Sequence, residues 1–182
     1  MQPHAKYARI ERERRFLLDR FPSTAKVLRI RHITDRYVDG TRLRLREQSD
    51  EGSSTVFKVT QKVPMRASGA QQGLITNMYV TKEEFGVLSQ LSAQILSKVR
   101  YSVPPFGIDV FEGTLEGLVL AEAEFDSPAA ASALTLPPFI TREVTEDDRF
   151  TGGQLVHASR QDILTWLLEY GITPLSSETP IS

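Results

Sequence analysis

The chain has no cysteine and only three histidines in 182 residues. Disulfides and thiolate metal centres are therefore excluded. His4, His32 and His157 are scattered and lack metal-ligand spacing. A dominant charge sign is also missing, with 22 Lys and Arg against 23 Asp and Glu. That balance argues against nucleic-acid binding driven by overall charge, and no sequence-specific nucleic-acid partner is expected. No apolar run reaches the ~18 residues that a spanning helix needs, and the first twenty residues lack the apolar core of an export signal. The reading is a cytoplasmic protein with no membrane partner. Repeats are absent too. Residues 1–172 read as one domain and 173–182 as a loose polar tail.

What is present is charge arranged with a period of two. In Ile10 to Phe16, the residues Glu11, Glu13 and Arg15 fall on one face of an extended strand. Arg42, Arg44 and Arg46 share a face opposite Leu43 and Leu45. Lys58, Thr60 and Lys62 lie opposite Phe57 and Val59, and Lys98 and Arg100 opposite Val99 and Tyr101. Glu122 and Glu124 lie opposite Ala121, Ala123 and Phe125. Any one of these strands could be the solvated side of an antiparallel sheet. Together they differ from ordinary surface faces, which mix signs so that cross-strand neighbours can pair. Three of these strands are purely basic and one purely acidic.

Eight strand segments follow in mostly hairpin order: 7–18, 27–38, 41–48, 55–63, 74–80, 97–103, 108–112 and 118–126. Asp39-Gly40 supplies a two-residue type I′ hairpin signal. A capping box at Thr81 and Glu84 opens a helix predicted over Lys82 to Leu96, with Phe85, Leu88, Leu91 and Ile95 at helical spacing. Short helices are expected at Pro128 to Leu134 and after Ser159, the latter stopping at Gly171. Residues Pro64 to Gly73 read as a loop. The fold class is α+β, mainly β: a closed eight-stranded antiparallel barrel with flanking helices.

With the ionic faces turned inward, the interior cannot be dry. One uncompensated buried charge costs several kcal/mol, against a net stability of roughly 5–15 kcal/mol. The lumen must therefore be wet and hold a charged guest. Excess Arg and Lys suit a polyanion, because guanidinium forks match phosphate oxygens. The glutamates would repel such an anion unless a hard divalent cation, Mg²⁺ or Mn²⁺, stood between them.

These motifs are similar to those of the CYTH family, the triphosphate tunnel metalloenzymes. Glu11-Arg12-Glu13-Arg14-Arg15 resembles the family's Glu-x-Glu-x-Lys signature, with Arg15 in place of Lys. Thr41-Arg42-Leu43-Arg44, Thr60-Gln61-Lys62 and Lys98-Val99-Arg100-Tyr101 resemble its basic strands. Asp109 to Gly113 and Gly117 to Glu124 resemble its most distinctive run, and Glu143-Val144-Thr145 with Arg149-Phe150 the segment after it. The likeness covers about Tyr7 to Leu155, with the motifs in family order.

The resemblance implies a triphosphate tunnel in which Glu11, Glu13, Glu122 and Glu124 ligate Mg²⁺ or Mn²⁺. It implies that Arg15, Arg42, Arg44, Lys62, Lys98 and Arg100 hold phosphate oxygens, with Glu11, Glu13 and Arg15 at the catalytic centre. The expected activity is hydrolysis of a small triphosphate, inorganic triphosphate first. The alternatives are class IV-type adenylate cyclisation and a non-catalytic binder of triphosphate, polyphosphate or nucleotide. The partner in every case is a small triphosphate or nucleotide. Asn77 and Tyr79 stand where the family often has two acidic residues, and they favour the binder.

Overall fold

Strand β1 (Arg9–Leu18) pairs with both ends of the sheet and thereby closes it. The chain is described by a computed structural model covering residues 6–65 and 71–173. Seven further strands complete the ring: β2 (Arg29–Val38), β3 (Leu43–Asp50), β4 (Val56–Met65), β5 (Gln71–Val80), β6 (Ala93–Val103), β7 (Phe106–Phe111) and β8 (Val119–Glu124). They lie in the order β5-β4-β3-β2-β6-β7-β8, all neighbours antiparallel. Glu13 to Leu18 of β1 pairs with β8, and Arg9 to Glu13 with β5. The closed eight-stranded barrel expected from the alternation is thus the observed architecture. A two-residue strand, β9 (Arg142–Glu143), lies on Phe16 and Leu17 beyond the last β5 pair.

The barrel is built inside out. Its apolar side chains face outward and are covered by the connections. Helix α1 (Lys82–Leu88) sets Phe85 and Leu88 against Leu43, Leu45, Phe57 and Val59. Phe16, Leu18, Ile108 and Ala121 are covered by Leu134, Phe139 and Ile140, which follow helix α2 (Pro128–Ser132). Apart from Ile75, apolar packing enters the lumen as a cluster at one end. There Leu17, Leu96, Phe111 and Leu120 meet Phe150, Leu155 of α3 (Gly152–Leu155), and Ile163 and Leu167 of α4 (Arg160–Glu169). This floor leaves the rest of the interior to the ionic side chains. Among the described residues no helix is long and apolar enough to cross a membrane.

Three sequence expectations are corrected. The helix predicted over Lys82 to Leu96 stops at Leu88, and its supposed core residues Leu91 and Ile95 are exposed. From Ala93 the chain joins a ten-pair ladder with β2, running from Val38–Ala93 to Arg29–Ser102. Those backbone hydrogen bonds outweigh a weak local helical preference. The β2–β3 connection is Asp39 to Arg42 and not a two-residue turn. Gly40 alone has positive φ, at 68°, so the turn is not type I′. The described residues of the Pro64 to Gly73 segment are all strand: β4 runs to Met65 and β5 begins at Gln71, with 66–70 outside the described residues. The tail expected over 173–182 lies outside them from 174 onward. The caps at Thr81 and Ser159 and the positive-φ Gly171 stand where the sequence placed them.

Candidate functional site in the barrel lumen

The strand period carries side chains from all eight barrel strands into one cavity of about 490 Å³. All ten residues singled out from the sequence line it: Glu11, Glu13 and Arg15 on β1, Arg42 and Arg44, Lys62 on β4, Lys98 and Arg100 on β6, and Glu122 and Glu124 on β8. Arg42 comes from the turn before β3, not from the strand itself, and is exposed. Arg46, Lys58, Thr60, Tyr37 and Asn77 line the same space. A wider hollow of about 870 Å³ lies outside the barrel, beside Arg12, Arg14 and Glu143. It contains none of the ten. Its Arg14 is already bound to Glu143, at 2.8 and 2.6 Å, so the lumen is the functional candidate.

Two carboxylates to which the sequence reading gave no site role, Asp35 and the motif residue Asp109, hold the basic wall in place. Asp35 on β2 is 1% exposed and sits opposite Arg46 in the β2–β3 ladder. Arg46 donates Nε and Nη2 to its two oxygens at 2.7 Å each, and Arg44 Nε lies 3.6 Å from Oδ1. Burial opposes the charge on Asp35, but Arg44 and Arg46 outweigh it and hold the carboxyl well below the usual range. Asp109 on β7 is 0% exposed. It accepts from Lys98, and from Arg100 Nε and Nη2 at 2.6 Å each. Each aspartate thus orders two cations whose remaining donors stay in the lumen. Their signal in the sequence is parity: Asp35 shares its face with Tyr37, and Asp109 pairs with Arg100 across the ladder.

The acidic side is organised around Lys62. Its Nζ lies 2.6 Å from Glu11 Oε2 and 3.0 Å from Glu13 Oε1. Burial works against the ammonium, but Glu13 and Glu11 push Lys62 up to about 12. Burial, together with the nearby charges of Glu122 and Glu11, pushes the Glu13 carboxyl above its ordinary range. Glu122 goes the other way despite its burial, because Arg100 and Lys98 hold it well below that range. Arg100 donates Nη2 to Glu122 and crosses β7 to do so. Gly107 makes that crossing possible, since a Cβ there would come within 3.3 Å of Arg100 Cδ. Arg15 is 1% exposed, and its Nη2 donates to the Thr145 carbonyl at 2.9 Å.

The two departures on β5 separate. Asn77 faces the lumen and accepts a 2.7 Å hydrogen bond from Thr60 Oγ1. Tyr79 is 73% exposed and lies outside the cavity wall. Tyr37 reaches the floor, where Gly152 packs against its hydroxyl so closely that no Cβ fits.

The donor set fits a hard divalent cation. It consists of carboxylate oxygens, with no sulfur or imidazole, which is the chemistry of Mg²⁺ and Mn²⁺ sites. The crowding of Glu11, Glu13 and Glu122 is relieved by a cation, and the Lys62 ammonium meets part of that need. Among the described residues no three carboxylate or imidazole side chains are already gathered at metal-holding distance.

No family model matches the chain. A curated protein does: the inorganic triphosphatase of Nitrosomonas europaea is 34% identical over 149 residues, covering 77% of this chain and 92% of that protein. Two crystal structures share the barrel, both of the protein NE1496, called hypothetical in one and an inorganic triphosphatase in the other. One, of a hypothetical protein, gives a TM-score of 0.54 at 28% identity, covering 82% of this chain and 99% of that one. The other, of an inorganic triphosphatase, gives 0.53 at 26% identity, covering 81% and 95%. A closed barrel with a charged lumen, and a relative this similar across nearly its whole length, lead to one conclusion: the chain belongs to the CYTH family of triphosphate tunnel enzymes.

Proposed function

We propose that this protein hydrolyses a small triphosphate compound, inorganic triphosphate first, with the help of a divalent cation. The observation that carries the reading is the charge of the lumen wall. Nine Arg and Lys side chains line the cavity against five Asp and Glu, with Asp35 and Asp109 behind them. The surplus of positive charge is small. With one divalent cation added, it comes close to the charge of about −4 that a tripolyphosphate carries near neutral pH, the first of its two terminal second ionisations falling near 6 and repulsion raising the other.

Arg44, Lys98 and Arg100, each fixed by an aspartate, would grip phosphate oxygens without having to be ordered at the moment of binding. Their charge opposes the build-up of negative charge on the transferring phosphoryl group. Arg15 and Arg42 would complete the basic wall. Glu11, Glu13, Glu122 and Glu124 would hold Mg²⁺ or Mn²⁺, which supplies Lewis-acid polarisation of a phosphoryl oxygen and orients an attacking water. Among the described residues, the lumen-facing side chains include no cysteine, serine or histidine. The reading is direct attack by water, with no covalent intermediate.

A second reading, a binder without turnover, is supported by Asn77, a neutral side chain already engaged by Thr60. One experiment separates the two. Phosphate release is followed with inorganic triphosphate, ATP and thiamine triphosphate, with and without Mg²⁺ or Mn²⁺. Metal-dependent release that disappears in Glu13→Gln supports hydrolysis. Tight binding without release leaves the binder, and cyclic AMP with pyrophosphate from ATP points to a cyclase.

A further inference from the structure

We propose that Lys58 binds the far end of the substrate's phosphate chain and so selects its length. This rests on the triphosphate reading above. The first argument is a contrast among the lumen cations. Arg44 and Arg46 lean on Asp35, Lys62 on Glu11 and Glu13, and Lys98 and Arg100 on Asp109. Arg9 and Arg42 are exposed. Lys58 is half-buried in the cavity wall and makes no hydrogen bond and no ion pair among the described residues.

Its surroundings make that lack costly. Lys58 stands opposite Arg46 in the β3–β4 ladder and opposite Tyr79 in the β4–β5 ladder. Burial, then the charges of Arg46 and Arg44, push its ammonium down to about 8. A half-buried cation beside other cations is relieved when an anion arrives. The cavity therefore offers a position for negative charge that no protein carboxylate fills.

Spacing says which part of the guest it meets. Lys62, Thr60 and Lys58 follow each other on the lumen face of β4. At a rise of about 3.3 Å per residue, Lys62 and Lys58 are roughly 13 Å apart along the strand. Lys62 marks the carboxylate end, where the cation would sit. A chain of three phosphates extending from that end, with the reach of a lysine side chain, arrives at Lys58. A pyrophosphate held at the same end leaves Lys58 unmatched.

The test compares wild type, Lys58→Met and Lys58→Arg by calorimetry and steady-state kinetics in Mg²⁺, with inorganic triphosphate and pyrophosphate as probes. The expected result is a weakening of triphosphate binding by about tenfold or more in Lys58→Met, the range of one charge-assisted hydrogen bond. KM rises by the same factor, and pyrophosphate affinity does not change. Lys58→Arg keeps triphosphate binding within a few-fold. Equal losses on both anions, or no loss on either, overturn the proposal. Thermal melting of Lys58→Met at or above the wild-type midpoint is expected, and Lys58→Gln replaces it should Met aggregate. A wild type that binds triphosphate without releasing phosphate counts against hydrolysis alone, and the binding comparison still decides the role of Lys58.

Discussion

Asp35 and Arg46 face each other across the β2–β3 ladder, joined by two 2.7 Å hydrogen bonds beneath the lumen wall. Arg44 shares the same carboxylate. Asp35→Asn leaves a buried guanidinium pair without its counter-charge, and the expected loss is about 3–5 kcal/mol in urea unfolding at pH 7. The folded-state carboxyl ionises well below its unfolded value. Its contribution is therefore full above the ordinary carboxylate range and is lost as pH falls. The gap between mutant and wild type must narrow in acid, and a gap that is constant with pH refutes the assignment.

Glu13 lies on the opposite side of that ledger. A carboxyl whose folded-state value is raised holds its proton more tightly when folded, so its ionisation at neutral pH costs stability. Glu13→Gln should raise the thermal midpoint of the metal-free protein, by about 0.5–2 kcal/mol in free energy, while abolishing phosphate release. Added Mn²⁺ should stabilise the wild type more than the variant in scanning calorimetry. A variant that melts lower than wild type without metal contradicts this account.

Gly152 and Tyr37 test the floor of the lumen. A Cβ at residue 152 collides with the tyrosine hydroxyl and comes within 3.1 Å of Cζ. Gly152→Ala should cost about 1–3 kcal/mol through overpacking. Adding Tyr37→Phe removes the colliding oxygen and should recover a good part of that loss. Strict additivity in the double mutant would show that the two residues do not touch.

Lys58 gives a proton-linkage signature. The groups whose charge reaches it are Arg46 and Arg44 from β3, Asp35 from β2 and Arg100 from β6, with Tyr79 its partner on β5. With its ionisation near 8 in the free protein, a bound anion raises that value. Triphosphate binding at pH 8.5 should therefore take up protons, seen as a heat that varies with the buffer's ionisation enthalpy. The uptake should vanish in Lys58→Met.

Much of this site was legible in the sequence, because strand alternation gathers each set of charges on one face, and the concentration of one sign on several strands favours a shared lumen over solvent. Arg44, Lys62, Lys98, Arg100 and the four glutamates follow directly from that period. Asp35 did not stand out and Asp109 entered only as part of a motif, each being a lone carboxylate whose partners come from neighbouring strands. The freedom of Lys58 was hidden for the same reason. Parity places it in the wall, but only the register shows that Asp35 is taken by arginines. The overlong helix at Lys82 to Leu96 shows the limit from the other side. Leu91 and Ile95 fit a helical stripe, yet β2 required a strand partner from Ala93 onward.

The ring closes through the earliest strand, and this has a kinetic consequence. β1 finds its mates only when Ile75 and then Glu124 have joined the fold. On a ribosome it emerges before both partners and waits with both edges bare. Docking of the amino-terminal segment is thus the step that completes the nascent ring. Closure that depends on such distant contacts is slow, and it leaves a sticky edge for chaperones or aggregation to find.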